Sequence, residues 1–431
     1  MYRSVLLLLL TVALPSQRLL GTNCPAFVKG DQVPGLVGAD RGQVRLFTAA
    51  AGGWQELPLQ IDPMNQDGVL RDAVDVQDEQ AAVRGFDPRA LTRRDRLAFY
   101  PDAFGDGAPR GKPPCDPAAL VEVHDRRRPG ARAWLARCRQ KTPPRFAGQP
   151  VVRHAARRLI SSPRYQYFHT PENEMVYEKI YAVRDQSRFA LTGAAAMLLR
   201  LDIKKFFTME FDRDDVRAEL VHSRSGPLGM VNRLGMSINL MGFNIALQMD
   251  SMMSFYETSI NVPMQVDVPA HAPDYLHEGS GVLAMWIPVP GTRFLRTGAP
   301  GEMVDFHAPS SLAGYRTIGK RGAGRCRART CYFHLDGILD KHGVKFRLQV
   351  SIARKFVKLG FLPQFIQDVP KFLKVMEWDD DPDPHKGVVA LYFSNTGMPK
   401  GYHTFDHWIY IVSGNEPMLR CPHPVTVKDA A

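Results

Sequence analysis

Short runs in which apolar and polar residues alternate recur along most of the chain. In residues 54–70, Leu57, Leu59 and Ile61 alternate with polar or proline positions, which is the period-two pattern of a strand with one buried face. The run PMNQDG at 63–68 is rich in turn-forming residues and should reverse the chain. Repeated strands of this kind, punctuated by glycine and proline, predict a mainly β fold of two β-sandwich-like domains.

The first part of the chain, residues 24–140, is predicted to form an N-terminal β-sandwich domain. Strands are expected at 43–48, 56–61 and 96–100, and no amphipathic helix of ten or more residues is evident. Residues 141–150 contain three prolines and no apolar periodicity, which indicates a linker.

The remainder, residues 151–431, is predicted to form a larger β-sandwich-like domain. Within 220–247 the apolar positions change from even to odd, and a strand changes face in this way at an extra residue, so we expect a bulge near Met241. At 353–378 apolar residues recur at spacings of three and four, a helical pattern interrupted by two prolines. One or two short helices are therefore expected there.

The N-terminus has the pattern of a signal peptide. Residues 1–21 contain the basic Arg3 and an apolar run at 5–14, which is shorter than the about 20 residues that span a bilayer. An uncleaved anchor is the alternative. No later apolar run is long enough to span, so we expect a periplasmic or secreted mature chain without a transmembrane segment.

Cysteine usage fits an oxidising compartment. The six cysteines are Cys24, Cys115, Cys138, Cys326, Cys331 and Cys421. Cys115 and Cys138 flank two strand-like runs joined by a turn, so in an antiparallel hairpin they would stand nearly opposite one another. Cys326 and Cys331 are close enough in sequence to close a hairpin tip, and Cys24 with Cys421 follows by elimination. Free buried thiols are the alternative.

Three motifs in the first domain resemble a known pattern. They are WxxLPLQID at 54–62 with its acidic turn, DRLAFYPDAFGD at 95–106 and VEVH at 121–124. Together these motifs resemble those of uncharacterised secreted bacterial β-sandwich proteins, over about a quarter of the chain. The resemblance implies a fold and a compartment, and it implies no catalytic residue.

The charge balance suggests the class of partner. Lysine and arginine number 55 against 44 acidic residues, a net charge of +11, which favours anionic polymers or membrane surfaces. A solvated surface also accounts for this charge. Nucleic acid is not expected, because no binding motif is present. Lysines and phenylalanines at 353–378 allow peripheral contact with an anionic membrane, and packing of that segment on the sheet predicts the same pattern.

Tyrosine, histidine and arginine provide the candidates for catalysis. These candidates are Arg164, Tyr165, Tyr167, His169, Tyr402, His403 and His407. A tyrosine or histidine base beside an arginine can remove a proton next to a carboxylate, as polysaccharide lyases do. Tyrosines are also common packing residues in sandwiches. No hydrolase, zinc-protease, Walker or dinucleotide motif is present.

A calcium loop is the one cofactor site that the sequence suggests. Asp62, Asn65, Asp67, Asp72 and Asp75 supply hard oxygen ligands around a glycine-bearing turn. Their spacing does not match an EF-hand, and a merely hydrophilic turn is the alternative. We otherwise expect no cofactor.

Two functional hypotheses remain. The first is an exported binding or structural protein that engages an anionic glycan or an envelope protein, and the second is a carbohydrate-active enzyme resembling a polysaccharide lyase. The enzyme requires tyrosine or histidine within hydrogen-bond reach of arginine in one concave groove, whereas the binding protein predicts a flat or convex face. We favour the binding protein.

Overall fold

The structure is a computed structural model of the chain. It describes residues 24–50, 53–83, 85–115, 117–139, 146, 149–171, 173–204, 207–211, 215–240, 243–268, 280–288, 292–295, 303–305, 317–318, 325–327, 330–339, 343–355, 364–366, 389–394, 400–413 and 422–429. The predicted signal peptide at 1–21 lies outside the described residues, as does most of the predicted linker.

The first part of the chain contains one α-helix and eight strands in its described residues. The helix is α1, Ala73–Ala82. The strands are β1 Ala26–Lys29, β2 Val44–Ala50, β3 Gly53–Leu57, β4 Gln60–Asp62, β5 Arg96–Phe99, β6 Gly105–Asp106, β7 Pro117–Asp125 and β8 Ala131–Cys138.

Besides a short 3-10 helix at Ala155–Arg157 and two helical residues, Arg354 and Lys355, the second part is composed mainly of strands. In its described residues these are β9 Val152–His154, β10 Leu159–Ser161, β11 Tyr165–His169, β12 Tyr177–Arg184, β13 Ser187–Ile203, β14 Phe207–Phe211, β15 Val216–Ser225, β16 Gly229–Leu240, β17 Phe243–Tyr256, β18 Ser259–Val268, β19 Gly281–Pro288, β20 Thr292–Leu295, β21 Met303–Asp305, β22 Thr317–Ile318, β23 Arg325–Arg327, β24 Thr330–Leu339, β25 Val344–Ala353, β26 Gln364–Ile366, β27 Val389–Ser394, β28 Gly401–Ser413 and β29 Val425–Asp429.

The described strands form four antiparallel sheets, which confirms the mainly β class. The three-stranded sheet has the order β1, β5, β4, and the six-stranded sheet has the order β29, β7, β8, β2, β3, with β6 on β8. One ten-stranded sheet, here called sheet E, runs β22, β26, β27, β19, β13, β12, β11, β10, β9, with β14 on β13. The other, sheet F, runs β15, β16, β17, β18, β28, β25, β24, β20, β21, with β23 on β24.

The two ten-stranded sheets pack face to face. Sheet E contributes Tyr165 and Ile180 to their shared core, and sheet F contributes Phe255, Leu348 and Ile409. The three-stranded and six-stranded sheets share a second core in the same way. Each half of the chain is therefore a β-sandwich, as the period-two pattern predicts.

The three-stranded sheet is covered on both faces. Its residues Val28 and Phe99 belong to the core with the six-stranded sheet, whereas Ala98 packs with Tyr256 and Trp408 of sheet F. Since successive residues of a strand point to opposite faces, one short sheet serves both contacts. The four sheets consequently form a stack of four layers.

A buried ion pair lies in the contact between the two sandwiches. Arg96 donates to Asp62 Oδ2 at 2.8 and 3.1 Å, and it also donates to Ser254 Oγ at 3.2 Å. Gln60 donates to the other Asp62 oxygen at 2.8 Å, and its own oxygen accepts from the backbone amide of Gly229 at 3.1 Å. These bonds join the three-stranded sheet to sheet F.

The C-terminal strand returns to the first domain. β29 pairs with β7 in the six-stranded sheet. Beside it, the buried His423 donates Nε2–H to Asp125 Oδ1 at 2.7 Å, and Arg128 donates to Asp125 Oδ2 at 3.0 Å. The division into residues 24–140 and 151–431 stays a prediction, with the amendment that the last strand of the second segment belongs to the first sheet stack.

One local prediction was wrong, and another falls on residues that the structure does not describe. The expected strand at 56–61 is two strands, β3 and β4, which belong to different sheets. The bulge was expected near Met241, which lies outside the described residues. β16 ends at Leu240 and β17 begins at Phe243, which lies opposite Leu240, and the register shift between these strands falls between Gly235 and Ser237. In this pair of strands an even-numbered residue lies opposite an odd-numbered one, as Ile238 does with Ile245. The apolar positions on one side are therefore even in β16 and odd in β17.

The helices also differ from expectation. Helix α1 was missed because none of its residues is buried, so it carries no apolar periodicity, and its signal is the reciprocal capping of Asp72 and Asp75. In the predicted helical segment 353–378, Arg354 and Lys355 are helical and residues 364–366 form the strand β26, whereas residues 356–363 and 367–378 lie outside the described residues.

The first predicted disulfide is confirmed. Cys115 and Cys138 are bonded, with their Cα atoms 5.4 Å apart. Cys24 and Cys331 each take part in a disulfide. Cys331 lies directly opposite Cys326, its predicted partner, in the pairing of β23 with β24. Cys421, the predicted partner of Cys24, lies outside the described residues, so that pairing stays a prediction.

Removing Arg96 should destabilise the protein strongly. Arg96→Met leaves Asp62 buried without its cation, and we expect a loss of about 3–5 kcal/mol in the free energy of unfolding, measured by urea denaturation. Arg94→Met is the control, because that side chain is 54% exposed. The double variant Asp62→Leu with Arg96→Met should be more stable than Arg96→Met alone, and equal instability of the two would contradict this account.

The Asp125 carboxylate should make stability depend on acidic pH. Burial raises its pKa, but hydrogen bonds from His423, the Arg127 amide and Arg128 together lower it to about 2. A carboxylate whose pKa is lower in the folded than in the unfolded state stabilises the protein at pH values above its unfolded-state pKa. This stabilisation is lost as the pH falls through about 2.

We therefore expect Asp125→Asn to lower the free energy of unfolding by about 2 kcal/mol at neutral pH, and the difference from wild type to shrink as the pH falls from about 4 to 2. Asp185→Asn, whose side chain is 87% exposed, is the control. A difference that does not change with pH would show that the carboxylate charge is not responsible.

Candidate functional site on the outer face of sheet E

Strand β11 divides its side chains between two environments. Tyr165, Tyr167 and His169 are buried, whereas Gln166 and Phe168 are half-buried on the opposite side. The alternation follows from strand geometry. Arg164 also has an even position, and it is half-buried. The predicted arginine therefore alternates with the predicted tyrosines instead of facing them.

The two tyrosines are packing residues of the sandwich core. Both rings have 0% exposure, and the hydroxyl of Tyr167 donates to the backbone carbonyl of Glu174 at 2.8 Å. Burial raises the pKa of both phenols well above the usual value. Since a phenol must ionise to act as a base, this environment opposes that role.

The histidine candidates lie on two different sheets. On β11, the Nδ1–H of His169 donates to the Thr170 carbonyl at 2.9 Å, and on β28 burial lowers the pKa of His407 to about 4. Tyr402 and His403 are also on β28, where their backbones pair with β18. Their side chains lie outside the described part. The described side chains thus do not form the predicted catalytic group, and the assignment stays a prediction.

The first three calcium candidates have other partners. Asp62 is the buried partner of Arg96. The side-chain oxygen of Asn65 accepts from the amides of Asp67 and Val69 at 3.0 and 3.2 Å. These bonds hold the turn that reverses the chain between Met64 and Leu70.

The remaining two candidates cap helix α1 and contact an arginine. Asp72 and Asp75 accept from one another's backbone amides at the start of the helix. Arg233 of β16 contacts both carboxylates and also Asp250. Within the described residues, no group of three acidic, histidine or cysteine side chains is placed to hold a metal ion. Calcium binding therefore stays a prediction.

An aromatic and basic surface lies on the other side of β11. We call it the outer face, and it consists of Gln166, Phe168, Lys179, Tyr181 and Arg188. Across β11 and β12, Gln166 lies opposite Tyr181 and Phe168 lies opposite Lys179. Facing residues of an antiparallel pair project to the same side of the sheet. Tyr181 lies opposite position 190 of β13, two residues from Arg188, which places Arg188 on this side as well.

The side chains of the outer face contact one another across three strands. The rings of Phe168 and Tyr181 are 5.8 Å apart and meet edge to face at 76°. The guanidinium of Arg188 lies over the Tyr181 ring, with its carbon 5.8 Å from the ring centroid. The same guanidinium donates to Gln166 Oε1 at 3.3 Å. Register and contact thus fix the position of the arginine.

Two cations of the outer face are not neutralised by acidic side chains. Nearby, Arg158 pairs with Glu178, and Arg184 pairs with Asp185. Arg188 and Lys179 are both exposed and have no ion pair with a described residue. The outer face therefore combines two aromatic rings with two available positive charges.

Sequence reasoning singled out this segment by its tyrosines and histidine and did not single out the outer face. Residues 164–183 are conspicuous for tyrosine and histidine, and the chemically familiar types occupy the buried positions. The residues that could have indicated the outer face are Phe168 and Tyr181, which alternate with the buried positions along β11 and β12. Arg188 follows the next turn, so its proximity depends on the register of β12 with β13.

Comparison with known proteins gives weak likeness. No family model and no curated protein matches the chain. An alpha-mannosidase from Enterococcus faecalis V583 is 9% identical, with a TM-score of 0.38, over 91% of this chain and 47% of that chain. A putative aldose 1-epimerase from Escherichia coli K12 is 10% identical, with a TM-score of 0.28, over 62% of this chain and 99% of that chain.

Both neighbours are carbohydrate enzymes by name, and this chain spans about half the length of the mannosidase. Likeness at these TM-scores supports no conclusion about this chain. In the part of the chain that the structure describes, no helix is long and apolar enough to cross a membrane.

The packing role of the tyrosines can be tested with two matched variants. Tyr167→Phe removes a hydrogen bond and leaves a buried carbonyl without its donor, so we expect a loss of about 1–2 kcal/mol in the free energy of unfolding. Tyr165→Phe should change it by less than about 0.5 kcal/mol, because no described group hydrogen-bonds that hydroxyl. Equal effects in urea denaturation would be inconsistent with this assignment.

Proposed function

We propose that this chain is an exported binding protein that holds an anionic glycan against the outer face of sheet E. The observation that carries the proposal is the position of the Arg188 guanidinium, which lies over the Tyr181 ring and has no described carboxylate partner. The Tyr181 ring in turn contacts the ring of Phe168. Export is inferred from the signal-peptide pattern at 1–21.

Aromatic rings on a sheet face suit the apolar faces of sugar rings. Phe168 and Tyr181 are half-buried, so each is anchored by its neighbours while part of its surface remains accessible. A rigid aromatic side chain gives contact area at a low cost in conformational entropy. The strands beneath them are paired on both sides, which keeps the two rings in a fixed relation.

The charges of the outer face favour an acidic ligand. Lys179 and Arg188 are exposed on the same side of the sheet as the rings. An arginine on an aromatic ring keeps a fixed plane and can accept a carboxylate or sulfate through two parallel hydrogen bonds. The net charge of +11 adds a longer-range attraction to anionic polymers.

The envelope-protein partner is a less specific form of the same hypothesis, and no described contact favours it. The lyase hypothesis requires tyrosine or histidine to converge with arginine. Tyr165 and Tyr167 face the core, whereas Arg164 occupies the alternate position of the chain. No observation therefore favours the lyase over the binding protein.

Binding should be measured with polygalacturonate as the anionic glycan, using titration calorimetry at low salt. Phe168→Ala and Arg188→Gln should each weaken binding by about tenfold, which corresponds to about 1.4 kcal/mol. Affinity should fall as salt is added, because the contacts involve exposed charges.

The control variant is Arg224→Gln, which removes an exposed arginine from β15 of sheet F and should bind as wild type does. Dextran is the neutral control ligand. The proposal fails if wild-type protein binds no anionic glycan more tightly than dextran, or if Arg224→Gln weakens binding as much as Arg188→Gln does.

A further inference from the structure

The guanidinium of Arg188 is held in two directions at once. The Tyr181 ring lies beneath it, with a carbon-to-centroid distance of 5.8 Å, and Gln166 Oε1 accepts from Nη1 at 3.3 Å. The first contact restricts the tilt of the guanidinium, and the second restricts its rotation. An exposed arginine would otherwise occupy many rotamers, and ordering it on binding would cost free energy.

A guanidinium fixed in this way presents a directional edge. Arginine has five N–H donors in one plane, and the described structure uses one of them for Gln166. Two parallel donors match the two oxygens of a carboxylate, which lie in a plane. A sulfate is tetrahedral and depends less on the plane of its partner, and an ammonium such as Lys179 has no planar preference.

Resting on the proposed function, we infer that the outer face selects glycans whose charge is a ring carboxylate, that is, uronic-acid polymers. Arg188 is the residue that determines this specificity, and Gln166 is a positioning residue that orients it. Lys179 lies opposite Phe168 on the adjacent strand and adds attraction to any anion. Phe168 and Tyr181 contact the sugar ring that carries the carboxylate.

The test compares four proteins with three ligands by titration calorimetry at fixed salt. The proteins are wild type, Arg188→Lys, Gln166→Ala and Lys179→Gln, and the ligands are polygalacturonate, its carboxyl-reduced form and dextran sulfate. Arg188→Lys keeps the charge and loses the planar pair of donors. It should weaken polygalacturonate binding by about tenfold and change dextran sulfate binding by less than about twofold.

The other two variants separate orientation from charge. Gln166→Ala removes no charge, and it should weaken polygalacturonate binding by about threefold while leaving dextran sulfate binding unchanged. Lys179→Gln should weaken both polymers by a similar factor. All three substituted side chains are partly or fully exposed, so the circular dichroism spectra of the variants should match that of wild type. If the spectrum of Arg188→Lys changes, the Gln166→Ala result decides.

The outcomes distinguish this inference from the proposed function. If wild type binds neither anionic polymer more tightly than the carboxyl-reduced one, the proposed function fails. If wild type binds an anionic polymer but Arg188→Lys binds polygalacturonate within about twofold of wild type, the binding role stands and carboxylate selection by Arg188 is overturned. Weakening of polygalacturonate alone by Arg188→Lys and Gln166→Ala supports the inference.

Discussion

The architecture depends on the burial of both faces of the three-stranded sheet. One face is apolar and completes the core with the six-stranded sheet. The other face carries the ion pair between Asp62, with 0% exposure, and Arg96, with 8% exposure. A one-residue slip in the register of this sheet would point Asp62 and Arg96 towards the apolar core, at a cost of several kcal/mol. The pair therefore fixes which face meets sheet F, and with it the order of the layers.

Stacking of the layers also determines where a binding surface can lie. The face of sheet F that carries Tyr256 and Trp408 is covered by the three-stranded sheet, and the facing sides of sheets E and F are filled with core residues. In the described structure, the outer side of β10 to β13 is not covered in this way. The half-buried aromatic rings and the exposed basic residues on that side are consequently available to a ligand.

The sequence predicts whatever depends on local alternation and fails where a distant partner decides. Period two identifies the strands and the bond between Cys115 and Cys138. Nothing local separates β3 from β4, and nothing local shows that β29 returns to β7. The site follows the same rule. The pattern of β11 indicates that Tyr167 and Phe168 face opposite sides, but only sheet F, which covers one side, decides which of them is exposed.

Two irregularities in the pairing border the outer face. Between β11 and β12 the register shifts just after Phe168, and between β12 and β13 it shifts just before Tyr181. Bulges of this kind re-aim the neighbouring side chains. From the two-residue turn at Asp185 and Gln186 the register is regular as far as Tyr181, so Val183 lies opposite Arg188 and Tyr181 lies opposite position 190. Position 191 is the extra residue of the shift. Arg188 lies on the regular side of it and therefore faces the same side as Tyr181, where its guanidinium reaches both Tyr181 and Gln166.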